Sequence, residues 1–106
     1  MVTNRINERV RVYAVYNEPG ERCAPHERLR PVAFCWRNRQ YRVREVTYVW
    51  RESRGESELY HFAVTAGEDR RPAVGETGNS PDQSVYELCY ETRSLNWTLA
   101  SVSCDL

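Results

Sequence analysis

Arg37, Arg39, Arg42 and Arg44 fall within eight residues and are interleaved with Trp36 and Tyr41 in the stretch FCWRNRQYRVR. Arginine carries a planar fork of donors that matches phosphate and carboxylate groups, and aromatic rings offer faces on which bases stack. The chemistry open to such a stretch is recognition of a polyanion. The competing reading is a solvated strand face whose arginines pair with glutamates of a neighbouring strand, such as Glu87 and Glu91.

Bond-making chemistry finds little support. The two histidines are His26 and His61. His61 sits between Tyr60 and Phe62 and reads as a strand residue rather than a base. The spacing suggests no Ser-His-Asp arrangement, no Gly-rich phosphate loop and no H-E-x-x-H. Cys23, Cys35, Cys89 and Cys104 include no C-x-x-C pair, so buried thiols are expected. Cys23 and His26 form a C-x-x-H pair, half of a zinc site whose other ligands would have to come from distant strands. No catalytic residue, metal or cofactor is therefore expected.

The elements that must position the arginines read as strands. The 106 residues suit a single domain of ordinary soluble composition, 28% charged and 41% hydrophobic. Residues 8–17, 32–36, 41–50, 59–65, 84–91 and 97–102 are short, β-branched or aromatic runs separated by turn signals. The expectation is an all-β fold, a six-stranded antiparallel meander forming a small barrel or a strongly curved sheet. Residues 1–7 are expected to fray. Residues 66–83, rich in Gly and Pro without periodicity, are expected to form a mobile insertion loop. SPDQ at 80–83 is a helix-start signal, but the alternation of Tyr86, Leu88 and Tyr90 favours a strand through 84–91.

Register decides where the arginines point. A two-residue turn at Asn38–Arg39, or a four-residue loop over 37–40, sets Trp36 against Tyr41 and Phe34 against Val43. Further along, Tyr41 and Val43 have one parity while Val46, Tyr48 and Trp50 have the other. A β-bulge at Arg44–Glu45 returns Val46, Tyr48 and Trp50 to the core face. Without it, Arg42, Arg44, Val46, Tyr48 and Trp50 share one exposed face, an arginine-plus-aromatic platform suited to bases. The bulge is favoured because it keeps the buried face continuous. Arg42 and Arg44 then face outward, with Arg37 and Arg39 at the hairpin tip.

Charge is balanced overall but not along the chain. Residues 1–54 hold 12 Arg against 6 Glu; residues 55–106 hold 3 Arg against 9 acids, and there is no lysine. Such asymmetry fits either a basic binding face or early and late strands that neutralise each other. No apolar run approaches the roughly 18 residues of a membrane span. MVTNRINERV has no signal-peptide core, so a cytoplasmic location without membrane contact is expected.

The run F-x-W-R-N-R-x-Y-x-V, then V-x-x-x-W ending at Trp50, then YHFAV, VYELCYE and W-T-L-A-S-V, resembles a family of small bacterial domains of unknown function. Some members look to be encoded beside, or joined to, translesion (Y-family) DNA polymerase-type proteins. The resemblance covers about residues 31–104, with Asn38 where the family has glycine. It implies an all-β fold and a link to DNA repair, and it transfers no catalytic residue. The functional expectation is a non-enzymatic accessory module that contacts nucleic acid or a DNA-repair protein through Arg37, Arg39, Arg42 and Arg44. The alternative is a domain that forms homodimers or docks proteins through an exposed edge strand.

Overall fold

The N-terminal segment runs as two strands, β1 (Val2–Arg9) and β2 (Arg11–Tyr16), separated only by Val10. A computed structural model describes residues 2–16, 25–68 and 84–104. After the one-turn helix α1 (Pro25–Arg28) come β3 (Leu29–Trp36), β4 (Arg39–Arg54), β5 (Ser57–Glu68), β6 (Ser84–Glu91) and β7 (Asn96–Cys104). Among the described residues these seven strands form one antiparallel sheet in the order β1-β7-β6-β5-β4-β3-β2.

The two strands joined by Val10 thus lie at opposite edges. A one-residue link between the outermost strands requires the sheet to coil until its edges approach at that point. Val10 N–H donates to the Trp97 carbonyl at 3.1 Å, while the next residue, Arg11, already pairs with Cys35. β1 and β2 do not pair with each other, so the sheet is strongly curved without being closed into a barrel. The expected six strands become seven because residues 2–7 also belong to a strand. They form most of β1 along β7, with Thr3 and Ser103 hydroxyls 2.9 Å apart.

The concave face holds the core. Phe34, Phe62, Val64, Leu88 and Leu99 have no exposed surface, and Tyr41, Tyr60 and Tyr86 close the ends. Each large side chain so buried contributes about 1.5–3 kcal/mol. Phe34 stacks on Tyr41 at 5.1 Å and meets Tyr86 edge-on at 5.2 Å.

The β3–β4 hairpin turns one residue earlier than expected. Arg37 and Asn38 occupy a two-residue turn with φ of 51° and 63°, the left-handed pair that matches strand twist. Trp36 therefore faces Arg39, and Phe34 faces Tyr41 rather than Val43. The slip is two residues, so every side chain keeps its face, and Trp36 and Tyr41 point inward together as expected.

In β4 the bulge at Arg44 is present between Val43 and Glu45, and Val46 lies in the core opposite Val64. A second bulge, at Thr47, was not expected. Its hydroxyl donates to the Ala63 carbonyl at 3.0 Å, a side-chain bond at the point where the ladder shifts register. Two one-residue bulges cancel in parity. Tyr48 and Trp50 therefore return to the convex face, which corrects the expectation that they join the core.

The β4–β5 turn carries Gly55 at φ 61°, the conformation a two-residue hairpin requires at its first central position. Of the 66–83 segment, Ala66, Gly67 and Glu68 belong to β5, and the rest lies outside the described residues, as does SPDQ. Residues 84–91 are strand. Leu95, in the β6–β7 turn, is 68% exposed and sits at φ 61°. Leucine has no local hydrogen bond to offset the left-handed conformation, whereas asparagine does. Leu95→Asn is expected to raise stability by about 0.5–1 kcal/mol, read as a higher urea midpoint at unchanged slope.

Candidate nucleic-acid interface on the convex face

The four arginines separate into two pairs. Arg37 is drawn into a clasp across the coiled sheet: its guanidinium reaches Glu8 of β1 at 2.6 Å and lies 4.6 Å over the Trp36 ring. The Trp36 indole N–H donates to the same carboxylate at 3.2 Å. The Arg37 hydrogen bond, and then that of Trp36, hold the Glu8 carboxyl below its ordinary range. Arg39 shares the concave parity of Trp36 and stands 3.8 Å from Glu68. The neighbouring-strand acids are thus Glu8 and Glu68, not Glu87 and Glu91.

Arg42 and Arg44 share the convex face. Arg42 lies opposite Gly67 in the ladder, and the Arg44 guanidinium covers that glycine. A Cβ at residue 67 would come within 2.9 Å of Arg44 Nη2, so Gly67 gives the guanidinium its seat. Tyr48, 65% exposed, follows on the same face, its ring 5.4 Å from Trp50. Trp50 in turn stacks on His61, at 4.9 Å and an interplanar angle of 5°. The second bulge thus brings Tyr48, Trp50 and His61 onto the face of Arg42 and Arg44, with the exposed Glu45, opposite Thr65, between the arginines and Tyr48.

The aromatic row ends at His61, which is only 9% exposed. Its Nε2 lies 3.4 Å from Glu52 and its Nδ1 3.4 Å from Glu87, yet neither nitrogen makes a hydrogen bond. A neutral imidazole has one N–H and one acceptor nitrogen, and carboxylates only accept. Both carboxylates can be served at once only by the doubly protonated ring. Beyond His61 opens a groove of about 980 Å³, bordered by Arg5 and Arg9 of β1, Arg54, and Glu87 and Glu91 of β6.

Cys89 also lines this groove. Burial, followed by the nearby carboxylates Glu87 and Glu52, pushes its thiol up to about 11. At pH 8 roughly a thousandth of it is thiolate, the reactive form. Cys89 should therefore remain unalkylated by iodoacetamide at pH 8 in the folded protein and react once urea unfolds the chain, as peptide mass mapping would read.

Among the described residues no set of three or more His, Cys, Asp or Glu side chains is placed to hold a metal ion. Cys23 of the C-x-x-H pair lies outside them. Among the described residues no helix is long and apolar enough to cross a membrane. Tyr48 and Trp50 were expected on this face only in the less favoured reading without a bulge, and His61 was read as an ordinary strand residue. The usable signal was the shared parity of Arg42, Arg44, Tyr48 and Trp50.

No curated protein and no solved structure matches the chain. A family model described as "Domain of unknown function (DUF6504)" matches residues 1–103, so the relationship includes β1 and β2 as well as the stretch from residue 31 onward. The chain belongs to the DUF6504 family.

Proposed function

We propose that the chain is a non-enzymatic module that binds single-stranded nucleic acid along its convex face. The observation that carries this reading is the assembly of Arg42, Arg44, Tyr48 and Trp50 on one face by two cancelling bulges. The arginines attract backbone phosphates, and the exposed Tyr48 ring offers a base a stacking surface that is indifferent to sequence. The sequence resemblance to small bacterial domains, some of which look to be encoded beside translesion polymerase-type proteins, supports a role in DNA repair. Arg37 and Arg39, held by Glu8 and Glu68, contribute field rather than direct contact in this reading.

Fluorescence anisotropy with labelled single-stranded and duplex oligonucleotides tests it. If Arg42 and Arg44 each neutralise one phosphate, the pair should contribute about −1.4 to the slope of log K against log salt for a single strand. No binding at low salt, or binding indifferent to salt, would overturn the reading.

A second reading has its own observation. The β2 edge exposes Tyr13 (47%), Val15 (45%) and Tyr16 (60%) beside a strand backbone that is unpaired among the described residues. Such an edge is a template for pairing with a second copy. Light scattering over a concentration series distinguishes the two: a dimer lost in Val15→Lys supports edge pairing, and a monomer throughout excludes it.

A further inference from the structure

Opposite charges face each other across the convex groove without meeting. Arg5 and Arg9 stand on β1, Glu87 and Glu91 on β6, with β7 between. Two strand spacings set these walls about 10 Å apart. Among the described residues neither arginine has an ion-pair partner. Glu91 Oε1 accepts from the Ser94 hydroxyl at 2.7 Å. Leu59, Cys89 and Ala100 give the groove apolar surface. At its end His61 is 9% exposed, its ring nitrogens 3.4 Å from Glu52 and 3.4 Å from Glu87, neither in hydrogen-bond geometry. Buried polar groups left this way are uncommon and costly.

A ligand suited to this groove has an anionic end for the arginines and adjacent donors for a carboxylate, separated by about the width of the groove. A nucleotide has that layout, from its phosphate to the Watson–Crick edge of its base. Guanine alone among the bases presents two neighbouring donors there, N1–H and N2–H, which a carboxylate accepts with both oxygens. Thymine offers one N–H between two carbonyls. Adenine and cytosine set an acceptor nitrogen beside their donor, and a carboxylate repels it. A donor bound to Glu87 would also fix that carboxylate beside His61 and favour the hydrogen bond that ring now lacks.

We propose that the groove is a guanine subsite: Glu87 and Glu91 read the base, and Arg5 and Arg9 take a phosphate of the same strand. The subsite rests on the single-strand reading above and extends it with a base preference. The aromatic row leads into it, since His61 both ends the row and lines the groove.

The test compares an oligothymidylate with the same strand carrying one central guanine, by anisotropy at fixed low salt. The guanine strand should bind about tenfold tighter, as one good bidentate base contact provides. In the Glu87→Gln/Glu91→Gln variant, checked for folding by circular dichroism, the ratio of the two affinities should fall to about one, since an amide cannot accept from both donors. Arg5→Ser/Arg9→Ser, on the exposed edge strand, should also shrink the ratio, which guards against a folding defect in the first variant. Equal affinity for both strands in the parent protein would overturn the subsite and leave strand binding intact. A preference that survives the double glutamine variant would also overturn it. Failure of either strand to bind would overturn both readings.

Discussion

Phe62→Ala is expected to cost about 3–5 kcal/mol, the range for truncating a fully buried aromatic ring. Phe62 lies on β5, the central strand, and has no exposed surface. Its ladder partners are Val49 on one side and Leu88 on the other, and its ring meets Trp97 at 5.5 Å. Truncation removes the transfer energy of a full ring. It also leaves a cavity that the neighbours cannot fill, because β4 and β6 are fixed by hydrogen bonds on both sides. Domains of this size are stable by about 5–15 kcal/mol in total, so the variant should be near the edge of folding at room temperature. Urea unfolding followed by tryptophan fluorescence reads the effect as a lowered midpoint. Phe62→Leu keeps most of the volume and should cost less than half as much. A loss below about 1 kcal/mol for the alanine variant would mean that the core is not centred on this strand.

The contrast between Phe62 and Tyr48 shows which part of the fold was legible in the sequence. Around Phe62 the period is regular: Tyr60, Phe62, Val64 and Ala66 all point inward, and alternation alone identifies the strand and its buried face. In β4 the same rule fails twice. The first failure, at Arg44, could be read because an unbroken alternation would have exposed Val46. The second, at Thr47, could not. Thr47 is β-branched and unremarkable in a strand, and its bulge depends on a hydroxyl bond to Ala63, a residue of the next strand. Local sequence cannot report a contact made sixteen positions away. The edge-to-edge jump at Val10 was hidden for a related reason. Nothing in RINERVRVY marks the point where one extended segment stops pairing with β7 and starts pairing with β3; that is set by how far the sheet coils. The clasp of Glu8 with Arg37 and Trp36 follows from the same coiling, and it takes Arg37 away from the surface the sequence had suggested. The candidate residues that remain, Arg42 and Arg44, face outward with or without the bulge, because the hairpin sets the parity of that stretch.

Tyr48→Ala and the paired reversal Arg42→Glu/Arg44→Glu should weaken single-strand binding by separable routes. Tyr48 is 65% exposed and no core residue depends on it, so its removal tests stacking with little risk to the fold. Base–aromatic stacking is worth about 1–3 kcal/mol per base, so affinity should fall roughly tenfold while the salt slope stays constant. Trp50→Ala is less clean, because the Trp50 ring also covers His61. The arginine reversal acts on charge. It removes two phosphate contacts and places two repulsive carboxylates on that face, so the loss should exceed tenfold at low salt and shrink as salt screens it. Its salt slope should lose about 1.4 relative to the parent. Arg42 and Arg44 are both exposed, and a urea midpoint measured on the same variant separates lost binding from lost fold. If the tyrosine variant changed the slope, or the arginine pair lowered affinity equally at all salt concentrations, the two groups would not be acting as stacking platform and phosphate contact. Binding would then have to run through another face of the sheet, with the exposed β2 edge the next place to test.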